Sequence, residues 1–189
     1  MFKKMKNISL SLIILLLSIE AFSQKTYFYF EPENSYRDGI ELMQKEKYVA
    51  AQKKFSAVFA TKIDHRNPIY VQSKFYYAVC AYNLTHKNTE SLFLEFIDEY
   101  HQESLSNLAH FYLARWYFNK KNYIKCLKEL EKVDTYELTS SDQIEYKYRK
   151  AYCHFSNNEL NEAKKLFFEV KKLESKFKSQ ATYYYAHIA

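Results

Sequence analysis

An all-α chain built as a stack of antiparallel helix pairs is what three features of the 189 residues predict. The chain holds one glycine, Gly39, and two prolines, Pro32 and Pro68, far too few for the turns of a many-stranded sheet. An aromatic or basic-flanked quartet ending in a small residue recurs: YRDG closing at Gly39, FYYA at Ala78, FYLA at Ala114, YRKA at Ala151 and YYYA at Ala186. These small residues stand 39, 36, 37 and 35 positions apart, the length of a helix pair.

In chain order, the first segment is not part of the stack. Lys3, Lys4 and Lys6 precede an apolar run from Ile8 to Ile19, and Ala21 and Ser23 are the small residues a signal peptidase accepts. Residues 1–23 therefore read as a secretory signal, 24–33 as a lead-in, and 34–189 as the helical repeat. The apolar run is short of the ~20 residues a bilayer-spanning helix needs, so no transmembrane span is expected in the mature chain. Removing the signal takes away three lysines and one glutamate and lowers the formal charge from +6 to +4. That mild excess suits acidic partners or anionic polymers, or a solvated helix surface.

Each unit's first helix continues its stripe beyond the small residue, through Leu42 and Met43, Ala81 and Tyr82, Tyr117 and Phe118, and His154 and Phe155. After a short polar break a second helix repeats large, small and large: Tyr48, Ala51, Phe55, then Tyr123, Cys126, Leu130, then Leu160, Ala163, Phe167. Each middle residue lies 12 beyond its anchor, and in the second unit Ser91, 13 beyond Ala78, takes that place. A small side chain on each helix lets the axes approach while bulky neighbours fill the grooves on either side. Gly39, Ala51, Ala78, Ala114, Cys126, Ala151, Ala163 and Ala186 are the expected packing anchors. The last quartet, within ATYYYAHIA, starts a fifth unit whose second helix is missing, and Ser179 to Ala189 carry no Lys, Arg, Asp or Glu. A solenoid end needs a polar outer face, so this helix is expected to meet a partner, a continuation of the array, or a second copy of itself.

The arrangement resembles the tetratricopeptide repeat family over Asn34 to Ala189, on the small residues quoted above and the large apolar residues that follow them. It is most similar to secreted bacterial members such as Tol-Pal coordinators and outer-membrane assembly factors. The resemblance implies a right-handed superhelical solenoid of about four repeats plus one helix, exported to the periplasm or cell envelope. It also implies a non-enzymatic scaffold whose first helices line a concave groove for a peptide or partner helix, here another envelope protein. Groove positions follow the small anchors: Val79 and Tyr82, Arg115 and Phe118, Tyr152 and Phe155. Tyrosines there would bind through flat area and hydroxyl hydrogen bonds. The same rings would serve equally as filler between units.

Other chemistry finds little support. Phosphate-cradling loops, dinucleotide fingerprints and the nucleophile elbow each need closely spaced glycines that this chain lacks, so no nucleotide cofactor is expected. The basic residues form no cluster interleaved with aromatics, which argues against nucleic acid. Six histidines contain no pair at metal-ligand spacing, and no metal is expected. His154 reads as a satisfied boundary histidine. Cys80 and Cys153 occupy equivalent places two units apart, beyond bridging distance, and Cys126 is a packing anchor, so all three read as buried thiols. An alternative function is binding of envelope polysaccharide or peptidoglycan, which would gather Lys164, Lys165, Lys171, Lys172, Lys176 and Lys178 beside a tyrosine groove.

Overall fold

The computed structural model describes residues 31–101 and 104–189; the signal segment and most of the lead-in lie outside the described residues. Among the described residues nine α-helices follow one another: α1 (Pro32–Gln44), α2 (Tyr48–Phe59), α3 (Pro68–Asn83), α4 (Thr89–Glu99), α5 (Ser104–Asn119), α6 (Tyr123–Leu130), α7 (Ser140–Ser156), α8 (Leu160–Val170) and α9 (Lys178–Ile188). A single 3₁₀ turn, Thr135–Glu137, precedes α7. Each helix packs on the one before it, and each odd-numbered helix through α5 also touches the next odd-numbered one. The expected four pairs plus one helix are therefore present. No described helix is long and apolar enough to cross a membrane.

With almost no glycine, the chain turns its corners by forcing other residues into the left-handed region. Glu46, Thr85, Lys121 and Asn158 have φ of 57°, 56°, 60° and 63°. Every one stands seven positions beyond its small anchor, in the turn from first to second helix. The same two hydrogen bonds close all four corners. Lys47, His86, Asn122 and Glu159 donate their backbone N–H to the carbonyls of Leu42, Ala81, Tyr117 and His154. Glu46, Thr85, Lys121 and Asn158 donate theirs to Met43, Tyr82, Phe118 and Phe155. This is the Schellman motif, which satisfies carbonyls that a helix end leaves without partners. Helix starts are secured by side chains at other joints: Asn67 accepts from the N–H of Ile69 just before Pro68, Asn122 from Lys125 and Thr139 from Asp142.

The small anchors are buried where a second helix covers them. Ala51, Ala78, Ala114, Cys126, Ala151 and Ala163 are all in the core, and Gly39 is buried too. Gly39 is required by its neighbour rather than by its backbone: a Cβ there would lie 2.6 Å from the Phe55 ring. Two expectations need correction. Ser91 is exposed, and Thr89, eleven beyond Ala78, is the buried residue with Phe93 and Phe96 following it at the spacing of Ala51, Phe55 and Val58. The buried register thus comes one residue earlier than in the other units, although five residues separate the two helices here instead of three. Burying Thr89 is possible because its hydroxyl donates to the His86 carbonyl at 2.7 Å. Ala186 is exposed; Ala181, five residues earlier, is the buried alanine of α9.

Candidate interaction surface

The stripe along α1, α3, α5, α7 and α9 is a run of paired rings, one pair across each joint. Tyr36 meets Tyr76 at 6.4 Å between centroids, Tyr82 meets Tyr112 at 5.5 Å, Phe118 meets Tyr152 at 5.3 Å, and Tyr184 meets both Tyr152 (5.2 Å) and Phe155 (5.1 Å). Most of these contacts are tilted or edge-on, the geometry favoured by the ring quadrupole, and each is worth about 0.5–1.5 kcal/mol beyond area burial. The rings are half-buried. They fill the gaps between units and leave their outer edges to solvent.

The six expected groove residues part company here. Tyr82, Phe118, Tyr152 and Phe155 lie on this half-buried stripe. Tyr82 also accepts a hydrogen bond from Asn119 at 3.2 Å. Val79 does not reach the surface; it is enclosed in the main core with Phe75, Phe93 and Ala109. Arg115 is no free cation. Its guanidinium lies over the Phe111 ring at 4.2 Å, donates to Glu145 through Nε at 2.8 Å and Nη2 at 3.0 Å, and donates to Asp142 at 2.6 Å. Glu145 accepts a further bond from Arg149 Nε at 2.7 Å, and the Arg149 guanidinium lies over Phe118 at 4.5 Å. Burial would raise the Glu145 carboxyl, yet the hydrogen bond and charge of Arg115, with Arg149 beside it, hold it below the usual carboxylate range. The cluster clamps α5 to α7.

Sequence reasoning missed this clamp because its partners are 27 and 30 residues apart, a separation only the fold closes. A second buried carboxylate, Glu129 on α6, is partnered the same way by His110 of α5 (2.7 Å) and Lys132 (2.9 Å). His154 is half-buried and paired with Glu159, as a boundary histidine should be. Among the described residues no three His, Cys, Asp or Glu converge as a metal site would need.

The other element of the surface is the open face of α9. Tyr183 is 64% exposed, whereas its counterparts Phe75, Phe111 and Tyr148 are 2%, 0% and 8% exposed. Ser179, Gln180, Thr182, Ala186 and His187 flank it on the same exposed face. The opposite face seals the fourth pair: Tyr184 stacks on Phe167 at 5.3 Å and Ala181 is fully buried. Beside it, a shallow hollow of about 510 Å³ is lined by Lys164, Lys165, Phe168 and Tyr185. Lys171 lies 3.6 Å from the Tyr185 centroid and Lys172 3.7 Å from that of Phe168. Lys165 pairs with Glu162, which lines the same hollow, while Lys178 pairs with Glu174 and Lys176 lies near Glu145.

No family model matches the chain, and no curated protein matches it. Solved structures do. The crystal structure of nearly identical TPR-like repeats of a putative kinesin light chain from Podosopora anserina superposes with a TM-score of 0.62 at 14% identity, covering 84% of this chain and 87% of that one. A single-substitution variant of the same repeat protein gives 0.62 and 14%, covering 82% and 84%. The fold is TPR-like.

Proposed function

We propose that this chain is a non-enzymatic scaffold of the bacterial cell envelope that holds another protein along its aromatic stripe and on the exposed face of α9. The observation that carries the reading is the exposed face of α9. In the preceding units the equivalent residues Phe75, Phe111 and Tyr148 are buried, and the first helix is covered by a second helix such as α2, which bears Tyr48, Ala51 and Phe55. A helix of that character from a partner protein is the ligand that the exposed face of α9 fits. Contacts between successive odd-numbered helices, without comparable contacts between successive even-numbered ones among the described residues, support a curvature that puts the ring stripe on the inner side. Export rests on the leader-like residues 1–23 and predicts a mature protein beginning near Gln24.

The test is a photo-crosslinking amino acid at position 183, introduced in the native host, with position 136 as control because Tyr136 is exposed on the distant 3₁₀ turn. A cross-link to another envelope protein at 183, absent at 136 and abolished by Ala186→Trp, is expected. No adduct, or only a dimer of the chain itself, would overturn the reading. A second reading, binding of an anionic envelope polysaccharide, draws on Lys164, Lys171 and Lys172, which gather at Tyr185 and Phe168 with no carboxylate partner among the described residues. Salt-sensitive retention of the mature chain on such a polymer, lost in Lys171→Glu, would favour it.

A further inference from the structure

Cys126 of α6 and Cys153 of α7 were separate thiols in the sequence, an anchor in one unit and a stripe residue in the next. The fold brings them together. Both are fully buried in the same core cluster, α6 packs on α7 with the Tyr123 and Tyr152 rings meeting at 5.3 Å beside them, and hydrogen bonding from Cys153 pushes the Cys126 thiol up. Arg149, one turn before Cys153, places its charge beside Cys126. Its Nη1 is buried and has no hydrogen-bond acceptor. Cys80 sits apart, in the cluster formed by α1, α2 and α3, where burial pushes its thiol up to about 12.

We infer that Cys126 and Cys153 are a disulfide site, a redox staple joining the third and fourth helix pairs, while Cys80 remains a free thiol. The two cysteines lie on adjoining, packed helices in one core cluster, so closing a bond of about 2.05 Å asks for side-chain adjustment rather than a new arrangement of helices. The oxidant is a small disulfide such as glutathione disulfide. When the α6–α7 joint opens, as it must during folding, one cysteine gives its proton to solvent and its thiolate attacks the small disulfide. That S–S bond breaks and one glutathione leaves as thiolate. The second cysteine, also deprotonated, then attacks the mixed disulfide and releases the other glutathione. Two protein thiols are oxidised and one glutathione disulfide is reduced to two thiols. In the closed fold the pair is shielded from the small disulfide, so the reaction belongs to folding or to partial opening.

The test is to refold the chain from denaturant in glutathione disulfide and compare it with the reduced chain. The expected product is two hydrogens lighter, retains one of three titratable thiols in denaturant, and yields a cross-linked peptide containing Cys126 and Cys153. Its thermal midpoint should rise by about 5–10 °C, from the loop closed by the bond. Cys80→Ala should keep the cross-link and Cys153→Ala should abolish it. Three titratable thiols after oxidation, cross-links through Cys80, or a midpoint that does not rise would each overturn the inference.

Discussion

Glu145 shows how much of this protein's specificity is decided one side chain at a time. It is a buried carboxylate held by Arg115 and Arg149, on the stripe where sequence reasoning placed a cation ready for a ligand. Removing one partner of a buried pair leaves the other charge uncompensated, so Glu145→Gln should cost about 3 kcal/mol in urea unfolding near neutral pH. The sign with pH follows from the depressed carboxyl. Its stabilisation is fully present above the ordinary glutamate value of about 4.3 and fades as pH falls through the lower folded value. The mutant and the parent chain should therefore converge below roughly pH 3, and an equal gap at both pH values would contradict the clamp. The position of Arg115 one step past an anchor was legible. Its occupation by Asp142 and Glu145 was not, because nothing local relates residues so far apart in sequence.

The helix pair is the element in which sequence and structure agree most closely. Aromatic and small residues at helical spacing fix which faces meet, and seven of the eight anchors are buried. The corners were not read. Left-handed residues are expected to be glycine or asparagine, yet three of the four corners use Glu46, Thr85 and Lys121. The repeated hydrogen bonds there are a property of the closed turn, and they impose the conformation on residues that would not choose it. Thr85 is the most strained, being β-branched with a positive φ. Thr85→Gly should stabilise the chain by about 1 kcal/mol in chemical denaturation, with no comparable gain for Asn158→Gly. The misplacement of Ser91 has the same origin. A hydroxyl can be buried when a carbonyl is in reach, and the His86 carbonyl that serves Thr89 is supplied by the turn.

Across the whole molecule, stability is a sum over neighbours, because each pair touches only the adjoining ones. The end unit accordingly depends on α9. Ending the chain after Lys176 should uncover Phe167 and Ala163, expose the α8 backbone amides to fast hydrogen exchange, and leave protection in α1 and α2 unchanged. Uniform loss of protection would instead mark a single cooperative bundle. The exposed face of α9 is the same physics in reverse: Tyr183 stands in solvent at the position where Phe75, Phe111 and Tyr148 are buried against their neighbours.

Helical class, pair length and most of the anchors were determined by the order of residues, because each depends on spacing within a helix or on composition. The buried Arg115–Glu145 clamp, the meeting of Cys126 with Cys153, the earlier buried register at Thr89 and the enclosure of Val79 were decided only when helices from different units came into contact. Local periodicity says which face of a helix is buried. It does not say what lies opposite, and that is where charge pairing and thiol chemistry are settled.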